Sequence, residues 1–251
     1  MRSYVYIVIA ILFALILSLN RIEIFSLDEM SLFLTVIGLI YGLIAAFSIN
    51  NAWERFSKIR DAVAMEIDSL DSLNTLFSQI SDKAKARKLK SVLLEYCKEV
   101  PKVEWHKYWE AESVHQKFRE IQKIVSETKI RTQKDLLLLD KAMDEMREAA
   151  SARSQELILA QSRISKVQWL LNIFLSVILI LGLVFLRIPN YNLSVFVVAT
   201  MIAAILLILV VVYDLDSMKV AEEEVSVEPY LKLVRLLDPK SRISSRDILG
   251  K

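Results

Sequence analysis

The stretch that decides the fold is Gly38-Leu39-Ile40-Tyr41-Gly42-Leu43-Ile44-Ala45-Ala46-Phe47-Ser48-Ile49-Asn50-Asn51-Ala52-Trp53-Glu54-Arg55-Phe56, with Arg60 one turn further on. It starts uncharged and apolar, passes through two amides, and ends in aromatics interleaved with charges. Its first part belongs to an uncharged run from Ser31 to Asn51, long enough to cross about 30 Å of hydrocarbon as a helix of roughly 20 residues. Three other runs have the same character: Ser3 to Asn20, Val167 to Leu186 and Ile188 to Tyr213. Only a helix satisfies its own backbone in lipid without closing into a barrel, so four transmembrane helices are expected. A lone Arg2 before the first run is also how a secretory signal peptide begins. No small-x-small cleavage pattern precedes Asn20, however, and three more spans follow, so a retained helix is expected there.

Composition agrees with a chain built of two materials. Hydrophobic residues make up 54% of the 251 residues and charged residues 25%, which is more apolar mass than an ordinary soluble protein of that charge carries. With 4 Gly and 4 Pro, a turn-rich β fold is excluded, and a single Cys excludes a disulfide scaffold. The net charge of +2 leaves no basic footprint for nucleic acid. Nearly all Lys and Arg lie between the second and third runs and in the tail. The positive-inside rule therefore puts both termini and the middle segment in the cytoplasm of a multi-pass cell-membrane protein. Residues 1–51 then hold spans one and two, 52–166 a cytoplasmic helical domain, 167–213 spans three and four, and 214–251 a cytoplasmic tail. The expected class is an all-α polytopic membrane protein with a helical bundle inserted between spans two and three.

Within that bundle the apolar residues recur at helical spacing, as in Val63, Ile67, Leu70 and Leu73. No breaker separates Gly42 from Pro101, so span two is expected to continue as one long helix to about Ser81. Asp82 can cap a second helix that starts at Lys83 and runs to about Glu99, ahead of Pro101. A shorter helix is expected over Ser113 to Ser126. A longer one should start after Thr132, paired with Asp135 in a capping-box arrangement, and merge into span three at Val167.

Catalytic chemistry is hard to find. Cys97, Glu104, His106 and His115 are the only conceivable His-Cys-carboxylate set, and they lack a close-spaced ligand pair, so neither a metal nor another cofactor is expected. The few Gly build no phosphate loop, and the spans contain no Asp, Glu, Lys or Arg for a proton relay. A non-enzyme is expected.

Span two remains distinctive. Gly38 and Gly42 are spaced i, i+4, the small-residue pattern that lets helices approach closely in lipid. Leu39, Leu43 and Phe47 run at the same spacing and form one stripe. The change to Asn50, Asn51, Trp53, Glu54, Arg55 and Arg60 suits a helix leaving the bilayer with Trp at the interface. It also suits a helix lining an apolar constriction that opens into a wet vestibule. Periodicity alone favours the first explanation.

The segment Asn50-Asn51-Ala52-Trp53-Glu54-Arg55-Phe56 through Arg60 resembles the corresponding stretch of bestrophin channels, and it is more similar still to the bacterial and archaeal bestrophin-like family. The resemblance continues in Arg60-Asp61-Ala62-Val63-Ala64-Met65-Glu66, in Tyr96 and Glu104-Trp105, in Arg147 and Arg153, and in Leu215-Asp216. Departures are His106 in place of a Pro and Ser217-Met218-Lys219 in place of Arg-Pro-Phe. No acidic calcium clasp is matched, although Asp214, Asp216 and Glu222-Glu223-Glu224 are acidic. The resemblance implies a homopentamer in the lipid bilayer with five copies of span two around an anion pore of chloride type. It places the apolar neck on Leu39, Leu43 and Phe47, and vestibule donors on Asn50, Asn51 and Arg55. The alternative is a non-conducting membrane scaffold or regulatory protein acting through its cytoplasmic helices.

Overall fold

A computed structural model describes residues 27–103, 110–185, 191–217 and 228–238. The first apolar run, the Glu104-Trp105-His106 segment and the Glu222-Glu223-Glu224 cluster lie outside the described residues. Every regular element among the described residues is helical: α1 (Leu27–Gln79), α2 (Lys83–Glu99), a 3-10 turn (Val100–Lys102), α3 (Glu112–Ser126), α4 (Gln133–Gln161), α5 (Lys166–Phe185), α6 (Tyr191–Asp216) and α7 (Glu228–Leu237). Among them α1, α5 and α6 contain stretches long and apolar enough to cross a membrane.

The absence of Gly and Pro after Gly42 has the expected result. Helix α1 is unbroken over 53 residues, about 80 Å at 1.5 Å per residue. It stops where Asp82 caps α2, its carboxylate accepting from the Lys85 backbone N–H at 3.1 Å. Helix α4 begins with the capping box: Thr132 Oγ1 accepts from the Asp135 N–H at 3.0 Å, and Asp135 Oδ2 accepts from the Thr132 N–H at 3.1 Å.

One expectation is corrected. Helix α4 does not run into span three, because residues 162–165 are not helical. Ser162 turns its hydroxyl back onto the Ile158 carbonyl at 2.9 Å, and Ser165 Oγ accepts from the Gln168 N–H at 3.2 Å. Two serines thus offer the backbone local partners that compete with helical hydrogen bonds, ending one helix and starting the next.

The chain divides into two compact units, residues 1–53 with 163–217, and residues 54–162 with 218–251. In the first, Tyr41, Ala45, Leu175, Leu179, Leu183, Val198, Ile202 and Ile205 form the buried cluster. Of the three described glycines Gly182 is the most closely faced: a Cβ there would lie 2.6 Å from Leu34 Cδ2. Gly182→Leu is therefore expected to cost about 1–3 kcal/mol through overpacking, read as a lower unfolding temperature in detergent.

In the second unit one face of α1 is closed by Ile59, Val63, Leu70, Leu73 and Phe77, packed with Leu89, Leu93, Ile121, Ala149 and the apolar face of α7. The α1–α2 turn is tied to α4 by Asp135, whose Oδ1 accepts from both the N–H and the hydroxyl of Ser81 at 3.0 Å. Chiefly the Ser81 backbone N–H, helped by the Ser81 and Thr132 side chains, holds this carboxyl below its ordinary range against the opposing effect of burial. Folding thus favours the charged form. Its contribution is complete above the unfolded value and is lost as pH falls through the lower folded one. The melting-temperature gap between wild type and Asp135→Asn is expected to be constant near neutrality and to close below about pH 4.

Candidate functional site

In the first unit α1 has two opposite faces. Met30, Tyr41, Ala45 and Ser48 are buried, whereas Leu39 is 65% exposed, Leu43 55% and Phe47 64%. At 100° per residue, the row Leu39, Leu43, Phe47, Asn50 and Glu54 stays on one side of the helix. Asn50, Asn51 and Arg60 are exposed, as is Trp53. Glu54 holds Lys58 at 2.7 Å, one turn along the same helix; that ammonium keeps the carboxyl below its usual range and compensates its charge. The bare face therefore passes from apolar side chains to amides and then to a compensated ion pair without changing sides.

The other motif residues have inward duties. Arg55 is buried and donates from Nη1 to the Ser162 carbonyl, at the C-terminal end of α4. A Cβ at Gly38 would meet Leu179 at 3.9 Å, whereas one at Gly42 would meet nothing within 4 Å. Among the described glycines, the one whose missing Cβ leaves room for a neighbouring side chain is Gly182, which faces Leu34.

The buried face of α1 is held by polar contacts. Ser48 Oγ accepts from Gln168 Nε2 at 2.9 Å and from Asn172 Nδ2 at 2.8 Å, and donates to the Ile44 carbonyl at 2.8 Å. Two turns earlier, Tyr41 donates to the Ile205 carbonyl at 3.3 Å. At the other end of α6, Asp216 accepts from the Ile164 N–H at 2.9 Å and from Trp169 Nε1 at 3.1 Å. Trp169 also packs edge-on against Tyr213, with ring centroids 6.4 Å apart.

In the second unit five helices meet at one buried polar node. Glu66 of α1 accepts from Tyr96 of α2 through Oε1 and from Tyr230 of α7 through Oε2, the latter at 2.8 Å. Arg153 of α4 donates to the Tyr96 hydroxyl and, at 3.1 Å, to Nδ1 of His115 on α3. Its guanidinium lies 4.9 Å from the Phe118 ring centroid and 3.9 Å from Glu66 Oε1. Glu66, Tyr96 and Tyr230 are wholly buried. Arg147, by contrast, is exposed and paired with Asp144 at 3.4 Å. Cys97 is buried beside this node, and burial pushes its thiol up.

The model of a family described as bestrophin-like domain matches residues 28–217, which takes in the α1 stripe, Glu66, Tyr96, Arg153 and Asp216. The chain belongs to the bestrophin-like family. No curated protein and no solved structure matches it. Membership and the three membrane-capable helices make it a bestrophin-like membrane protein.

Sequence reasoning singled out the exposed row of this bestrophin-like chain but missed the roles of Ser48, Asn172, Gly182 and Tyr230. For Glu66 there was a signal. Ile59, Val63, Glu66, Leu70, Leu73 and Phe77 follow the alternating i+3, i+4 rhythm of a buried stripe, and a carboxylate in that row requires partners.

Proposed function

We propose that the chain assembles as a homopentamer, with five copies of α1 around an axis, and conducts small inorganic anions of the chloride type. Leu39, Leu43 and Phe47 form the neck, and Asn50 and Asn51 supply N–H donors to the vestibule beyond it. Both termini and the 52–166 domain lie in the cytoplasm of a multi-pass cell-membrane protein that also carries span one. The observation that carries this reading is the bare face of α1. Three large apolar side chains lead on the same side into Asn50 and Glu54, as a neck opening into a wet vestibule would require. A single chain of uncharged helices encloses no polar path, so conduction requires several copies. Anions meet the positive edge of Phe47 and amide N–H groups there. Ions cross when the neck widens and wets. Arg55, committed to the Ser162 carbonyl, is left out of the vestibule set.

The test is reconstitution. Purified protein is expected to be pentameric by native mass measurement and to release chloride from liposomes faster than protein-free vesicles. A monomer or dimer at background flux would sink the channel and leave a non-conducting scaffold.

A further inference from the structure

A transmembrane helix that is apolar all round has no preferred rotation in lipid, because hydrocarbon chains are as apolar as leucine. Something else must decide which side of α1 is bare. Helix α1 carries two polar side chains buried inside the membrane unit, Tyr41 and Ser48, two turns apart on the face opposite Leu39, Leu43 and Phe47. Ser48 is the more heavily engaged, joined to both Gln168 and Asn172 of α5. Ser176, one turn beyond Asn172, donates to the Asn172 carbonyl at 2.6 Å, so the knot is built on a braced segment of α5. One atom in it has no hydrogen-bond partner: Asn172 Oδ1, on a residue of zero exposure. A buried acceptor without a donor is costly, so the amide is held in this orientation by its Nδ2, which donates to Ser48 Oγ at 2.8 Å and to the Gln168 carbonyl at 3.0 Å.

We infer that Ser48, Gln168 and Asn172 form a rotational catch, which sets the angular position of α1 and thereby which side chains face the neck. This rests on the channel reading above. Ser48 is a positioning residue: it points away from the neck and acts through the helix that carries Leu43. Releasing the catch frees α1 to turn, bringing the now-buried Ala45 flank toward the aqueous path.

The test uses full-length protein in chloride-loaded liposomes, with single cysteines introduced by Leu43→Cys or Ala45→Cys and probed by a water-soluble thiol reagent. Native Cys97 stays silent because it is buried. Wild type is expected to release chloride, to react at Leu43→Cys and not at Ala45→Cys. Ser48→Ala and Asn172→Ala should each change flux by on the order of tenfold, the size of one or two interhelical hydrogen bonds in lipid, and make Ala45→Cys reactive. Their double variant should change flux no further than either alone, because both remove the same link. Ser48→Thr, which keeps the hydroxyl, should restore the wild-type pattern. Flux and labelling unchanged in Ser48→Ala would overturn the catch while leaving the channel standing. Absence of flux together with an unreactive Leu43→Cys in wild type would overturn the channel itself, and the catch with it. Ser48→Ala removes one oxygen from a helix, so a folded protein is retained for the comparison even if Asn172→Ala fails to express.

Discussion

Arg153→Ala is expected to destabilise the protein by about 3–5 kcal/mol, a drop of roughly 6–20 °C in the melting temperature of the second unit. The reason is the company the guanidinium keeps. Arg153 is 4% exposed and Glu66 wholly buried, with the Tyr96 hydroxyl held between them. Removing the cation leaves the Glu66 carboxylate buried without the guanidinium 3.9 Å away, and takes from His115 the Arg153 N–H at its Nδ1. Tyr230→Phe should cost less, about 1–3 kcal/mol, since it removes one donor to Glu66 and keeps the ring against Tyr96. The informative comparison is the pair. Glu66→Gln with Arg153→Met, which removes both charges together, should be milder than the sum of the two single changes. Thermal melts of the four proteins in detergent measure this. Strict additivity would mean that the two charges do not sense each other.

The second large effect, which rests on the channel proposed above, is on conduction. Replacing Leu39, Leu43 and Phe47 together by Ala is expected to raise chloride efflux at least about tenfold, equivalent to about 1.4 kcal/mol off the barrier. An ion crossing an apolar ring gives up hydration it cannot replace, and the cost falls as the ring widens enough to stay wet. Phe47→Ala removes most side-chain volume and should account for most of the rise among the single variants. Efflux identical to wild type in the triple variant would place the stripe against lipid. The same liposomes, repeated with a large organic anion, should show that anion passing only through the Ala variant.

Much of the fold was legible because its signals are local. A carboxylate three residues from an orphan N–H marks the starts of α2 and α4, Pro101 marks the end of α2, and the lack of Gly and Pro after Gly42 makes α1 continuous. The break at residues 162–165 was only half legible: the bonds of Ser162 and Ser165 are local, but Arg55 on the Ser162 carbonyl and Asp216 on the Ile164 N–H come from distant parts of the sequence. The glycines show a related limit. Spacing marked Gly38 and Gly42 but could not show Gly182, because what lies opposite it, Leu34, is distant in sequence. The exposed row was readable from periodicity. The Ser48 knot was passed over because attention in a membrane span goes to charges, and its members are uncharged.

The bonds that Asp216 makes have a consequence for biosynthesis. Asp216 is the last residue of α6, and its partners, Ile164 and Trp169, precede or open α5. During translation both helices are made before the clasp can close, because Asp216 is the last residue of α6. Termination just before residue 216 should therefore yield α5 and α6 with their apolar contacts but without this clasp.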